Sequence, residues 1–245
     1  MSNHMTSVEI GWHDDVARVW LNRPERLNAV APVLVDDLLA ALGQVAGSGA
    51  RAVVLGGRGR AFCAGHDLKE PTPPGDARAR LERLQDVTRR LRALPQPVIA
   101  AVHGYAIGAG AEFALGCDLV LAAEDAVFAF PEAGLGLSVT GAASRLLPLL
   151  VGPAKAKELV LLGERIDAAT AERIGLVNAV VTDVGETAMD WAGRIAKQPG
   201  ATLAKRALDA SIDLEPALEL EVSHALITEY SSDAARAAAD FRSRR

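Results

Sequence analysis

Cysteine is scarce in this 245-residue chain. Cys63 and Cys117 are the only two, neither belongs to a CxxC pair, and so small a number supports neither a disulfide framework nor a thiolate zinc site. Both are expected to be reduced, small apolar residues. Long hydrophobic runs are missing too: no stretch approaches the roughly 20 uninterrupted apolar residues of a membrane span. The N-terminus MSNHMTSVEIGW lacks a positive region followed by an apolar segment, so it does not read as a secretory leader. Met1 to Met5 is set aside as a candidate vector-derived leader, and the chain is expected in the cytoplasm. Basic runs are absent, and with a net charge of −5 and a pI near 5.6 this argues against a nucleic-acid footprint. No low-complexity linker and no obvious repeat is present in the letters.

What remains is a chain 50% hydrophobic and 23% charged, long enough to bury a substantial core. Val16 to Leu21 and Ala52 to Leu55 are short β-rich runs, and between them Leu34, Leu38, Leu42 and Val45 recur at helical spacing. A second helix, from about Gly75 to Leu94, is carried by Leu81, Leu84, Val87, Leu91 and Leu94. Pro95 and Pro97 end it before PVIAAVHG, another strand. Leu119 to Ala122 and Val127 to Phe130 suggest two more strands. Beyond Pro131 the pattern predicts helices near 138–150, 153–162, 167–173, 184–198, 199–213 and 214–243, with Val177 to Val181 as a late strand. The sequence thus reads as an α/β core with a helical C-terminal portion. The prolines of Glu70 to Asp76, EPTPPGD, predict a loop.

Three stretches carry the chemistry. In HGYAIGAGAEF, from His103, a strand ending at Val102 runs into glycines and then an apolar helix. The N–H groups of residues 108 to 111 are therefore helix-start donors without intrahelical partners, and such donors attract negative charge. The spacing is G-x3-G-x-G, not the GxGxxG of a dinucleotide site. Glu112 on this stretch alone reads equally as a first-turn carboxylate favoured by the helix dipole or as a functional group. In AFCAGHDLKE, Ala61 to Glu70, the turn Ala64-Gly65 presents a second set of backbone donors. In FAFPEAGLGL, Phe128 to Leu137, a strand ends at Pro131 and delivers Glu132 beside a glycine-bearing loop. Two backbone-donor turns and two carboxylates at strand ends are the parts needed for charge stabilisation with proton transfer.

These stretches, with LNRPERLNAV at Leu21 to Val30 and VGPAKAKELVLLGERIDAATAERIGLVNAVV at 151–181, closely resemble the crotonase superfamily, the enoyl-CoA hydratase/isomerase family. The likeness runs from about Val16 to the C-terminus. It implies a crotonase-type core of repeated ββα turns with a C-terminal helical trimerisation region, divided here into a core over 1–190 and an oligomerisation region over 191–245. It also implies a homotrimer or a hexamer built as a dimer of trimers. The implied substrate is an acyl-CoA thioester, with coenzyme A as part of the substrate and no separate cofactor or metal. The implied oxyanion donors are the N–H groups of His66 and Ala109, with CoA contacts from Ala64, His66, Asp67, Leu68, Lys69 and Ala109. The implied catalytic carboxylates are Glu112, activating water toward C3, and Glu132, donating a proton at C2. Keeping both favours a hydratase; an isomerase or another reaction of the family using Glu132 alone, or a non-catalytic acyl-CoA binder, is the alternative.

The sequence departs from the family pattern between Ser138 and Ser144. Leu135 to Leu146 reads LGLSVTGAASRL, placing Val139 and Thr140 where Pro and Gly are common, which is expected to narrow the acyl pocket or to change which acyl β-substituent fits. The His66 ring is expected to pack or face the CoA entrance. Asp118, Arg23 and Asn28 are expected to hold turns or helix ends, Arg145 to be an exposed helix arginine, and Trp12, Trp20 and Trp191 to supply core or subunit-contact mass.

Overall fold

The computed structural model describes residues 7–69 and 77–229, with 236, 239 and 240. The loop expected over Glu70 to Asp76, the candidate leader and most of the expected helix beyond 229 lie outside the described residues.

The chain opens with the hairpin β1 (Val8–His13) and β2 (Val16–Leu21), then α1 (Pro32–Ala46), β3 (Ala52–Gly57), α2 (Ala77–Ala93) and β4 (Val98–Val102). The site region follows as β5 (Tyr105–Ile107), α3 (Ala109–Leu115), β6 (Leu119–Ala123), β7 (Val127–Ala129) and α4 (Ala143–Val151). The C-terminal part comprises α5 (Pro153–Leu162), β8 (Ile166–Asp167), α6 (Ala168–Arg173), β9 (Ala179–Val181), α7 (Val184–Ala196), α8 (Ala201–Asp209) and α9 (Glu215–Glu229). The 190/191 division falls inside α7.

Six strands form one sheet in the order β1-β2-β3-β4-β6-β9, antiparallel only at its first pair. Its centre is written in composition: β4 reads VIAAV with every residue buried, as a strand covered on both faces must be. On one face α1 lays down Leu34, Leu38, Leu42 and Val45, all fully buried. Each is worth roughly 1.5–3 kcal/mol of transfer free energy. On the other face Val54, Ile99 and Leu121 meet Ala188, Ala192 and Ala196 of α7, whose methyl-sized contacts let helix and sheet approach closely.

A smaller sheet, β5-β7-β8, stands apart from the first. Its β5 and β7 pair in parallel, Tyr105 opposite Val127 and Ile107 opposite Ala129. The sequence pattern runs β4 directly into the α3 glycines, whereas the chain first turns at Gly104 (φ +54°) and makes β5. A Cβ at Gly104 would lie 2.1 Å from the Arg60 carbonyl oxygen, so the turn needs glycine.

The residues expected to be structural behave so. Buried Asn28 accepts from Arg23 N–H at 2.8 Å and donates to the carbonyls of Arg58 and Ala61. Asp118 accepts from Val98 N–H at 2.7 Å and from the buried Lys205 ammonium at 2.6 Å, tying α8 to the sheet. Arg145 is exposed on α4. Trp20 and Trp191, the latter on α7, are partly buried against the cluster between α7 and the sheet, while Trp12 is 51% exposed and supplies no core mass. The helix expected from residue 138 begins only at Ala143. Gly141 (φ +63°) and Ala142 (φ +59°) take left-handed conformations that no helix can include.

Candidate active site

Both carboxylates sit where the smaller sheet ends. After β5, Gly108 adopts φ +53°, ψ −124°, a conformation open only to glycine, and α3 starts at Ala109. A Cβ on Gly108 would stand 2.6 Å from Glu132 Oε1, so the missing side chain makes the space that Glu132 occupies. After β7, Pro131 ends the strand and Glu132 begins a 3-10 turn over Ala133–Leu135. Glu112, in the first turn of α3, is 1% exposed and Glu132 is 7% exposed.

The two carboxylates have different surroundings. Thr140 donates its N–H to Glu112 Oε1 at 2.7 Å and its hydroxyl, at a short distance, to Glu112 Oε2. Glu132 Oε2 is buried and has no hydrogen-bond partner among the described residues. Burial drives the Glu112 pKa well above the ordinary carboxylate value, and the negative charge of Glu132 and then of Glu221 pushes the same way, opposed by the two Thr140 bonds. Burial likewise raises Glu132, to about 7, against a smaller lowering by its own backbone N–H. Glu112 feels the charge of Glu132, so the titration of the two belongs to the pair. The hydrogen bonding differs between the two: the donors aimed at Glu112 work against its protonation, and Glu132 has no donor on Oε2 to do the same.

The two expected donor turns meet at the same place. The Cys63–His66 segment is stitched on both sides, by Ile107 N–H to the Cys63 carbonyl at 3.1 Å and by Val30 N–H to the Gly65 carbonyl at 2.8 Å. Gly65 (φ +85°) packs so tightly on the β5–α3 corner that a Cβ there would lie 2.6 Å from the Ile107 carbonyl oxygen and 3.9 Å from Ala109 N. Neither the His66 N–H nor the Ala109 N–H donates to any backbone or side-chain acceptor among the described residues. The arrangement supplies two unspent amides beside two buried acids, which suits a reaction passing through an oxygen anion.

Around this centre Ala64 and Leu68 are half-buried and Lys69 is exposed. His66 is exposed, and desolvation by the surrounding protein lowers the pKa of its ring. Asp67 is committed to structure: Arg26 grips its carboxylate at 2.9 and 3.0 Å, Arg23 reaches it at 3.4 Å, and it accepts from Lys69 N–H at 3.2 Å. Its charge holds the loop, leaving the backbone as the part that can face a ligand. Cys63 is buried against the site with its thiol pKa pushed up to about 12 by desolvation, so it is no nucleophile.

Sequence reading did not find what holds the Ser138–Ser144 segment. Thr140 is buried and bonded to Glu112. Gly141 N–H donates to Gln85 Oε1 at 2.7 Å, and Glu221 accepts from Ala142 N–H and Ser144 N–H at 2.8 Å each. Residues 85 and 221 lie far from 141 in sequence and carry no local signal. A polar residue on the otherwise apolar stripe of α2 is the nearest thing to one.

Residues 12–241 match the family model described as Enoyl-CoA hydratase/isomerase. A Mycobacterium tuberculosis protein named "Probable enoyl-CoA hydratase echA6" is 38% identical over 206 residues, 82% of this chain and 82% of its own. The 1,2-epoxyphenylacetyl-CoA isomerase of Escherichia coli is 39% identical over 231 residues, 89% of this chain and 88% of its own. Among solved structures, an enoyl-CoA hydratase from Mycobacterium avium subsp. paratuberculosis superposes with a TM-score of 0.88 at 32% identity, covering 96% of this chain and 98% of that one.

Proposed function

The chain belongs to the enoyl-CoA hydratase/isomerase family, and from that premise we propose that it is an enoyl-CoA hydratase, adding water across the 2,3 double bond of a 2-enoyl-CoA thioester. The observation that carries this reading is the pair of buried carboxylates, Glu112 and Glu132, with unlike hydrogen bonding. A reaction in which one carboxylate both removes and returns the proton has no use for the second.

The thioester oxygen accepts from the His66 and Ala109 N–H groups, which draws electron density from C3 and stabilises the enolate formed on attack. Each such donor is worth on the order of 3 kcal/mol of barrier. Glu112, whose anionic form the two Thr140 donors favour, takes a proton from water as the oxygen bonds to C3. Glu132 gives its proton to C2 as the enolate collapses. The step leaves one proton moved from Glu132 to Glu112, and the proton-sharing pair resets by returning it. CoA enters with the substrate.

A second reading rests on one observation. Thr140 engages both oxygens of Glu112, leaving Glu132 as the carboxylate with a bare oxygen, which is what a double-bond isomerisation through Glu132 alone requires. Loss of enoyl absorbance, followed over short, medium, branched and aromatic 2-enoyl-CoAs, separates the two. The hydratase reading expects turnover with at least one ester and losses of about 10²–10⁴-fold in both Glu112→Gln and Glu132→Gln. Activity kept in Glu112→Gln and lost in Glu132→Gln selects the isomerase.

A further inference from the structure

The loop that presents Thr140 is built almost wholly by side chains from elsewhere. Of the five amides from 140 to 144, Thr140 N–H goes to Glu112 on α3 and Gly141 N–H to Gln85 on α2. Those of Ala142 and Ser144 go to Glu221 on α9. Only Ala143 N–H stays within the loop, on the Thr140 carbonyl. Thr88 Oγ1 adds a bond to the Gly141 carbonyl at 3.2 Å, and Gln85 Nε2 joins the tethers by donating to Glu221 Oε2 at 3.1 Å.

Glu221 is 1% exposed, and both of its oxygens are spent on this one task. Its carboxylate lies at the N-terminus of α4, where unpaired amides and the helix dipole favour negative charge. The loop needs such holding. Ala142 is a non-glycine residue in the left-handed region, a conformation that persists only where surrounding contacts impose it. Those contacts are the bonds to Gln85 and Glu221. Next to them, Gly141 packs against Glu112 itself: a Cβ there would stand 2.8 Å from Glu112 Cβ and 3.4 Å from Glu112 Oε2.

We propose that Glu221 is a positioning residue for the reaction: from α9, together with Gln85, it fixes the 140–144 loop so that Thr140 holds Glu112 in its water-activating orientation. The inference rests on the hydratase reading, because it acts through Glu112. It gives the C-terminal helix a part in catalysis as well as in packing, and it explains a buried charged group that the chemistry does not itself use.

The test is a double-mutant cycle on the full-length protein. Glu221→Gln keeps the shape but sets an NH2 group against one of the loop donors. The expected result is a fall in kcat of about tenfold with KM for the 2-enoyl-CoA within twofold and an unchanged far-ultraviolet spectrum. The same substitution in a Thr140→Val background is expected to change kcat by less than threefold, because the hydroxyl half of the clamp it serves is already gone and only the backbone bond is left to position. Gln85→Leu, which cuts the tether at Gly141, is the second variant should Glu221→Gln fold poorly, and the same pattern is expected of it. Full multiplicative losses in both backgrounds, or a loss in KM alone, overturn the positioning role and leave a purely structural one. A wild type that hydrates no ester overturns the hydratase reading and the route through Glu112 with it. A hydrating wild type whose kcat survives both Glu221→Gln and Gln85→Leu overturns this inference alone.

Discussion

Thr140 donates to both oxygens of Glu112, its backbone N–H to Oε1 and its hydroxyl to Oε2. One residue thereby sets the rotation of the carboxylate and biases its charge. Hydrogen bonds to charged groups are worth about 1.5–3 kcal/mol each, and the hydroxyl contributes one of the two.

Replacing the hydroxyl tests this directly. Thr140→Val keeps the branched shape and the backbone bond but removes one donor from a buried anion. The Glu112 pKa then moves further upward, and the acid limb of the kcat–pH profile moves to higher pH with it. At neutral pH kcat is expected to fall about tenfold, with KM nearly unchanged, and Thr140→Ser is expected to retain most activity. Steady-state kinetics from pH 5 to 9 on the three proteins read the outcome; identical profiles remove Thr140 from the chemistry.

Gly108 offers a steric test. Its φ of +53° and the 2.6 Å between a built Cβ and Glu132 Oε1 mean that Gly108→Ala strains the backbone and evicts the carboxylate together. Turnover is expected to drop at least a hundredfold and the melting temperature by several degrees. Near-normal turnover in Gly108→Ala would show that the Glu132 position is not set here.

Glu132 makes a prediction about stability. Its pKa is raised from 4.5 to about 7 by burial, so the folded state holds the proton more tightly than the unfolded chain does. The sign follows: its contribution is fully present below the unfolded value near 4.5 and is lost as pH rises through about 7. Glu132→Gln removes the penalty and should stabilise the protein at pH 8 by up to about 3 kcal/mol, with little difference from wild type at pH 4.5. Urea unfolding at the two pH values decides it. A pH-independent difference would mean that the carboxyl is not desolvated.

The long periodic elements were legible because their patterns have length. Leu34, Leu38, Leu42 and Val45 announce α1, and VIAAV announces a strand, which the structure then buries on both faces. The carboxylates stood out beside their glycine and proline neighbours, but only the family resemblance gave them roles. Short elements were not: β5 has three residues and β8 two, too few for a period of two to declare itself. The start of α4 misled because residues 138–142 are locally compatible with helix. Their conformation is imposed by Glu112, Gln85 and Glu221, side chains that arrive from three other helices. A loop whose hydrogen bonds are long-range has no signature in its own letters.

The pairing of β5 with β7 fixes more than two strands. Glu112 hangs five residues beyond Ile107 and Glu132 three beyond Ala129, and those two strand ends face each other in register. Shifting that register by one two-residue step would carry one carboxylate along the strand direction by about 6.6 Å, beyond any shared proton. The small sheet is therefore a gauge block, its length set by backbone hydrogen bonds and indifferent to side chains. Exchanging the group at 112 or at 132 changes which reagent stands at each end of the gauge without altering the span between them.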